Sequence, residues 1–240
     1  MNRIIIEPEE IEKGCVVLSG RRFEHIKTVL KSEVGDILKT GELNGKIGTG
    51  KIAAIDDKSV TLEIDHSTDA PPPWFDLILA PPRPRVFKRL LAQLTALGLR
   101  KLFLVGAKKV EKDFWGATIL KEENYRPLLI EGLEQCGATA LPEIRISRNL
   151  KRFVESQCLG PCRLIAHPGG RTVAPWTDTI EKSINRKIEK SLPVFAVGPE
   201  GGWTDDEVAL FEAHGFSRVS LGPRILRTDT ALLALIGRYL

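Results

Sequence analysis

The run Ala70-Pro71-Pro72-Pro73 most constrains what this chain can fold into, because the residue spacing changes character across it. Consecutive prolines hold a stiff, extended backbone that helices and interior strands do not accept, so the run reads as a linker and a boundary. After it, apolar runs alternate with helical spacing. Phe75 to Ala80 reads as a strand, Val86 to Leu97 as a helix ended by Gly98, and Leu102 to Val105 as a strand. A helix from Tyr125 to Cys136 closes at Gly137. Strands follow at Arg163 to Ala166, Leu192 to Val197 and Arg218 to Leu221, with helices at Asp205 to Ala213 and up to Leu240. Strands alternating with helices predict an α/β fold with a parallel sheet covered on both faces.

Ahead of the linker the pattern is short strands and turns. Cys15 to Leu18, Asp36 to Thr40, Gly50 to Ile55 and the alternating Ser59 to Ile64 read as strands, with one short helix over Phe23 to Leu30. This is a small β-rich module, expected to be a barrel. The domains are therefore expected at residues 1–70 and 74–240. Within the module, Gly45 to Ile52 nearly spells a phosphate-binding P-loop. Ile52 lacks the hydroxyl that such a loop offers magnesium, and the flanking residues read as strands rather than as a helix start. A hairpin loop is the better reading. No G-x-G-x-x-G fingerprint follows a strand, so ordinary NTPase and dinucleotide chemistry are disfavoured.

The 240 residues are 42% hydrophobic and 28% charged, which excludes disordered and fibrous classes. No run approaches the roughly 18 apolar residues of a membrane span. The first residues turn acidic after Ile4-Ile5-Ile6, unlike a signal peptide, and a cytoplasmic location with no membrane partner is expected. Four cysteines fit a reducing compartment. Cys158, Cys162 and His167 have no second ligand cluster, so no metal site is expected.

Charge is divided unevenly. Residues 1–70 carry 10 Lys/Arg and 13 Asp/Glu, a net of −3, whereas residues 71–240 carry a net of +7. Between Leu77 and Val110 lie eight cations and no carboxylate: Arg83, Arg85, Lys88, Arg89, Arg100, Lys101, Lys108 and Lys109. A one-sign run of this length suggests a polyanion partner, against the plain reading of chance clustering on a solvated face.

The last third carries the chemistry. Val194 to Val197 runs into Gly198-Pro199-Glu200-Gly201-Gly202, and Thr204 to Glu207 then forms a capping box. Glycines at the C-terminal end of a buried strand let backbone approach a ligand. The next strand ends in Leu221-Gly222-Pro223-Arg224-Ile225-Leu226-Arg227, again before a helix. A third segment, Ala166-His167-Pro168-Gly169-Gly170, reads as another glycine loop after a strand. Three such loops are expected to converge on one crevice. None holds the lysine and hydroxyl of a triphosphate site, which favours a nucleoside-like cofactor held mainly by backbone atoms.

GPEGGWTDDEV (198–208) followed by LGPRILRTDTA (221–231) closely resembles the signature of the RsmE-type 16S ribosomal RNA uridine-N3 methyltransferases of the SPOUT superfamily. His25 to Leu30 with Gly35-Asp36 resembles that family's PUA-like RNA-binding domain. The resemblance implies a trefoil-knotted α/β domain after a small PUA-like β-barrel, S-adenosylmethionine as cofactor, and a homodimer acting on the small ribosomal subunit. It implies cofactor contacts at Ala166, His167, Pro168, Gly198, Pro199, Glu200, Gly201, Gly202, Leu221, Gly222, Ile225, Leu226, Thr230 and Ala231. Arg227 and Glu200 are the implied catalytic residues, and Arg22, His25, Lys31, Arg83, Arg85, Lys88, Arg89 and Arg224 the implied RNA contacts. The apolar last helix (Leu232, Leu233, Leu235, Ile236, Leu240) is expected either to join the dimer contact or simply to pack the core.

The chain departs from the family pattern in places. Ala92-Gln93-Leu94-Thr95-Ala96 stands where the family has a lysine and a glutamate, Ala138 where it has an arginine, Lys31 for an arginine and Asp229 for a glutamate. Two other readings follow from these departures: a non-catalytic RNA-binding or ribosome-assembly factor, and a methyltransferase for another RNA or base.

Overall fold

The computed structural model describes residues 2–157, 159–160, 162–172 and 192–240. Backbone contacts divide the chain into two compact units, Met1–Pro72 with Leu129–Leu141, and Pro73–Leu128 with Pro142–Leu240.

In the first unit, β1 (Ile4–Ile6), β2 (Cys15–Ser19), β3 (Ile37–Glu42), β4 (Ile47–Ile55) and β5 (Ser59–Thr68) form one sheet in the order β1-β3-β4-β5-β2. One buried cluster draws on all five strands (Ile4, Val16, Leu38, Ile52 and Leu62 among them), so the sheet curls around its own core. The strands β2 and β5 alternate buried and exposed residues, as a half-buried sheet requires. The short β1 pairs parallel to β3 and is buried on both faces. Ile4 and Ile6 enter the main cluster, while Ile5 packs with Leu43 and Leu133. Double burial explains why three isoleucines without alternation form a strand.

Three arginines stitch this unit together. Arg3 donates to the carbonyls of Thr40 (2.7 Å) and Gly137 (3.1 Å). Arg21 makes a paired contact with the carboxylate of Glu134, at 2.9 and 2.8 Å. Arg22 pairs with Glu10 and donates to Ile5 O at 3.1 Å. The hydrogen bond from Arg22 holds the Glu10 carboxyl below its ordinary range and raises the guanidinium in turn.

The P-loop-like stretch lies in the β3–β4 hairpin and along β4. Its glycines serve close packing rather than phosphate: a Cβ at Gly48 would stand 1.8 Å from the backbone oxygen of Asp65 on β5. The first helix differs from expectation. α1 starts at Gly20, ends at Glu24, and the chain then widens into a π-helical turn over His25–Leu30, closed by Lys31 at φ 53°.

The second unit holds a six-stranded sheet of β6 (Phe75–Leu79), β7 (Leu99–Val105), β8 (Glu143–Ser147), β9 (Arg163–Thr172), β10 (Val194–Val197) and β11 (Ser217–Ser220). The order is β11-β9-β10-β6-β7-β8, and every pairing is parallel. The helices are α2 (Pro84–Ala96), α3 (Glu122–Cys136, ending within the first unit), α4 (Leu150–Ser156), α5 (Asp205–Ala213) and α6 (Thr228–Ile236). The strand β8 and helix α4 have too few apolar residues to stand out in sequence: β8 is an edge strand with no buried residue, and α4 spans two turns.

Aromatic packing anchors the core. Phe75, Phe87, Phe195 and Phe211 are fully buried, each contributing about 1.5–3 kcal/mol by burial. Gly98 ends α2 at φ +91°, and a Cβ there would come within 2.6 Å of the Trp74 ring. The capping box of α5 forms as expected, with Thr204 Oγ1 accepting from Glu207 N–H and Glu207 Oε2 accepting from Thr204 N–H at 2.8 Å.

Candidate functional site

Strand order reverses between β6 and β10, the position where open parallel sheets leave a crevice at their C-terminal ends. β10 is buried along its length and delivers Gly198 and Pro199, also buried, to that crevice. The chain then turns, with Gly202 N–H donating to Pro199 O at 2.8 Å and Gly202 at φ +69°. A Cβ at Gly198 would stand 3.1 Å from the backbone N of Trp203, so any larger residue there would have to push the close turn aside by a few tenths of an ångström. Glu200 is exposed, and its Oε1 accepts the backbone N–H of Arg83 at 3.1 Å. Lys109 Nζ donates to Gly201 O at 2.8 Å. The glycine turn is therefore held from two sides, by the start of α2 and by the segment after β7.

The strand β11, one strand beyond β9 from β10, ends at Ser220 and leads into Leu221 and Gly222, the latter at φ +116° with open space where a Cβ would go. Ser220 Oγ lies 3.3 Å from the Gly222 N–H. Beyond it Arg224 and Ile225 are exposed, Ile225 to 95%. Arg227 is the N-cap residue of α6, with its side chain exposed and no hydrogen bond or ion pair to it among the described residues.

The third segment differs from the expected loop after a strand. Ala166 to Gly170 lies within β9, as a bulge. Ile165 pairs with Arg218 of β11, but the next partner of β11 is Arg171, so five residues of β9 oppose a single step of β11. The bulge begins level with Ala196 and Arg218, near the C-terminal ends of β10 and β11. A proline and two glycines swell the strand outward without ending it, because Arg171 and Thr172 resume pairing. His167 Nδ1 and Trp203 Nε1 are buried with no hydrogen-bond partner among the described residues. Burial, with Arg218 nearby, pushes the His167 imidazole down.

Three backbone segments on adjacent strands β11, β9 and β10 thus share one end of a parallel sheet. Comparison with known proteins agrees with this geometry. Residues 70–239 match the profile of the RNA methyltransferase domain, and residues 18–65 that of the RNA methyltransferase PUA domain.

The chain belongs to the RNA methyltransferase family.

Within the family, it is 33% identical to the ribosomal RNA small subunit methyltransferase E of Treponema pallidum, over 98% of this chain and 88% of the relative. The corresponding protein of Synechocystis is 28% identical over 95% of this chain and 74% of its own length. Among solved structures, a Legionella pneumophila protein in complex with bound S-adenosylmethionine is 26% identical, with a TM-score of 0.75 over 98% of this chain and 95% of that one. The Neisseria gonorrhoeae small subunit methyltransferase E shares the fold, with a TM-score of 0.76 at 24% identity over 99% and 95% of the two chains.

Among the described residues, four of the eight cations in the basic run of this family member are paired with carboxylates in three dimensions. Arg83 pairs with Glu111 (3.1 Å), Arg89 with Asp229 (3.0 Å), Arg100 with the buried Asp76 (2.5 Å) and Lys101 with Glu143 (3.3 Å). The carboxylates come from distant parts of the sequence, so their presence could not be read from the run itself. Arg85 and Lys88 stay exposed beside a cleft of about 270 Å³ with Thr118 and Asn124. Asp229, the departure from the family's glutamate, holds Arg89 on α2.

In the first unit, the Arg22 guanidinium pairs with Glu10 and donates to Ile5 O. His25 sits on the π-helical turn with Nε2 buried and unpartnered among the described residues, and Lys31 is exposed at its end. The last helix also divides: Leu232, Leu235 and Ile236 are buried in this chain's own core, which leaves Leu233 half-buried and Leu240 70% exposed. Among the described residues no three His, Cys, Asp or Glu side chains form a metal cluster, and Cys158 lies outside them. No helix there is long and apolar enough to cross a membrane.

Proposed function

We propose that this chain transfers a methyl group from S-adenosylmethionine to N3 of a uridine in the 16S ribosomal RNA of the small subunit. The observation that carries this reading is the juxtaposition of the Gly198–Gly202 turn, the Ala166–Gly170 bulge and the Leu221–Arg227 segment at neighbouring strand ends. The close-packed Gly198, the positive-φ Gly202 and Gly222 with open space at their Cβ positions, and the orphaned His167 Nδ1 and Trp203 Nε1 suit a ligand bound largely through backbone and a few buried polar atoms. The Legionella structure with bound S-adenosylmethionine, similar over nearly the whole chain, supports the same cofactor. Ala166 to Pro168, Gly198 to Gly202, Leu221, Gly222, Ile225, Leu226, Thr230 and Ala231 would hold it.

When bound, the sulfonium supplies an already activated methyl group. The work left to the protein is to align the uridine and to assist loss of its weakly acidic N3 proton. Arg227, exposed and unpaired beside the Leu221–Leu226 segment, would stabilise the negative charge that develops on the uracil. Glu200 keeps one oxygen on Arg83 N–H, and its second is available to the cofactor's ammonium group. RNA would be gripped through His25, Lys31, Arg85, Lys88 and Arg224. Arg83 and Arg89 reach RNA only by exchanging carboxylate partners. A homodimer through Leu233 and Leu240, a knotted arrangement of the C-terminal loops, domain boundaries near residues 70–74 and a cytoplasmic location belong to the same reading.

The deciding experiment is methyl transfer from labelled S-adenosylmethionine to unmethylated small ribosomal subunits, with the product nucleoside identified by mass spectrometry. N3-methyluridine is the expected product. Cofactor binding without it would move the activity to another RNA or leave an RNA-binding factor, and total RNA as substrate separates those two.

A further inference from the structure

A second cluster of cations lies away from the crevice and outside the basic run. The edge strand β8 ends at Ser147 and leads through Arg148 and Asn149 into α4. There Phe103, Arg145, Arg148, Asn149, Arg152 and Gln157 line an open cleft of about 430 Å³.

The charges in this cleft are not balanced. Arg145 is held by Glu143 at 2.5 Å, and Lys151 lies 3.9 Å from Glu155. Arg148 and Arg152 have no carboxylate partner among the described residues. Arg148 is nevertheless fixed: its guanidinium stands 5.5 Å over the Trp115 ring and donates to Trp115 O at 3.3 Å. A planar guanidinium braced on an indole is pre-oriented for a phosphate, with less side-chain freedom to lose on binding. Asn149 and Gln157 add neutral hydrogen-bonding groups at the rim.

We infer that this cleft binds the phosphate backbone of the RNA substrate, at a distance from the reacting nucleotide. The inference rests on the methyltransferase reading above. Because the sheet is parallel, the end of β8 lies on the same side as the ends of β10 and β9. β8 is three strands from β10, about 14 Å at roughly 4.8 Å per strand. One RNA strand entering the crevice can therefore lie over both. The cleft adds two arginines without carboxylate partners among the described residues to Arg85 and Lys88, which the pairing of half the basic run leaves open. An acidic protein would suit the charge, but a cleft whose rim carries three arginines, Asn149 and Gln157 around Phe103, Ile146 and Phe153 fits a backbone of phosphates and sugars, with the apolar floor left to a sugar or base face.

The test is the paired reversal Arg148→Glu/Arg152→Glu, measured by binding of protein-free 16S ribosomal RNA and of small subunits across a salt series. Loss of two phosphate contacts should weaken RNA affinity at least tenfold at low salt and lower the log–log salt slope by about 1.4–1.8, at roughly 0.7–0.9 per phosphate. The charge-keeping pair Arg148→Lys/Arg152→Lys should recover most of the affinity and the slope. Calorimetric S-adenosylmethionine affinity and the circular dichroism spectrum report whether each variant is folded. Unchanged affinity and slope in a folded reversal variant would overturn the inference, as would a loss that lysine does not restore. Normal binding to naked RNA with lost binding to small subunits would overturn it in favour of a ribosomal protein. A wild-type chain that binds no RNA and transfers no methyl group would instead refute the methyltransferase reading, independently of this cleft.

Discussion

Glu200 accepts the backbone N–H of Arg83 at 3.1 Å, which joins the glycine turn after β10 to the residue that caps α2. The bond spans the point where strand order reverses, and a carboxylate there also complements the positive end of α2. In Glu200→Gln the amide oxygen can keep the Arg83 contact while the charge is lost. If the other oxygen holds the cofactor's ammonium group, S-adenosylmethionine affinity should fall about tenfold, roughly 1.4 kcal/mol, with kcat little changed. Calorimetry and steady-state kinetics separate the two; a collapse of kcat at unchanged affinity would make Glu200 a proton acceptor instead.

Arg227 stands at the start of α6 with its side chain in solvent. Arg227→Ala should slow methyl transfer by about 10²–10³-fold, the usual cost of deleting one donor to developing charge, while cofactor affinity stays within about twofold. Cofactor binding lost in parallel with activity would move Arg227 into the cofactor site.

Glu134 is 1% exposed and depends on Arg21, whose side chain is 62% exposed. Arg21→Ala leaves a buried carboxylate without its cation. The expected loss is roughly 1–3 kcal/mol, less than for a fully buried pair because solvent screens the arginine side. Urea unfolding checks this, and Arg21→Ala/Glu134→Leu should regain much of the loss. A double variant as unstable as the single one would show that packing, not unpaired charge, sets the cost.

His66 gives the fold a dependence on pH. Its Nε2 shares a 2.9 Å hydrogen bond with Thr40 Oγ1, its Nδ1 is buried without a partner among the described residues, and burial pushes the imidazole below its ordinary value. The unfolded chain then takes up a proton at higher pH than the folded one. Stability from this group is complete above about pH 6.5 and falls as pH drops toward the lower folded value. Urea midpoints measured from pH 7.5 to 5 should decline less steeply in His66→Gln than in the wild type, and parallel declines would remove His66 as the cause.

Much of the architecture was legible because burial imposes period. Phe75–Leu79 and Val194–Val197 are continuous apolar runs because parallel strands are covered on both faces, and Thr204 with Glu207 announced the start of α5 by local chemistry alone. The glycine segments were legible as well, since positive φ at Gly202 and Gly222 is a requirement of the residue itself. Gly48 alone was ambiguous, because glycine marks close approach without saying whether phosphate or a neighbouring strand makes it; the flanking strand pattern is what pointed to the hairpin that forms.

What the sequence determined by itself is therefore whatever depends on neighbours along the chain: strand and helix periods, caps, turns, and a signature whose two motifs name a family. What only the tertiary structure decided depends on partners far away. Asp76, Glu111, Glu143 and Asp229 pair with half of a run of cations, while Arg148 and Arg152, unremarked in sequence, are left without carboxylates among the described residues. Ala166–Gly170 becomes a bulge because β11 is there to resume pairing at Arg171. Coulomb attraction and strand pairing act through space, and the fold alone sets those distances.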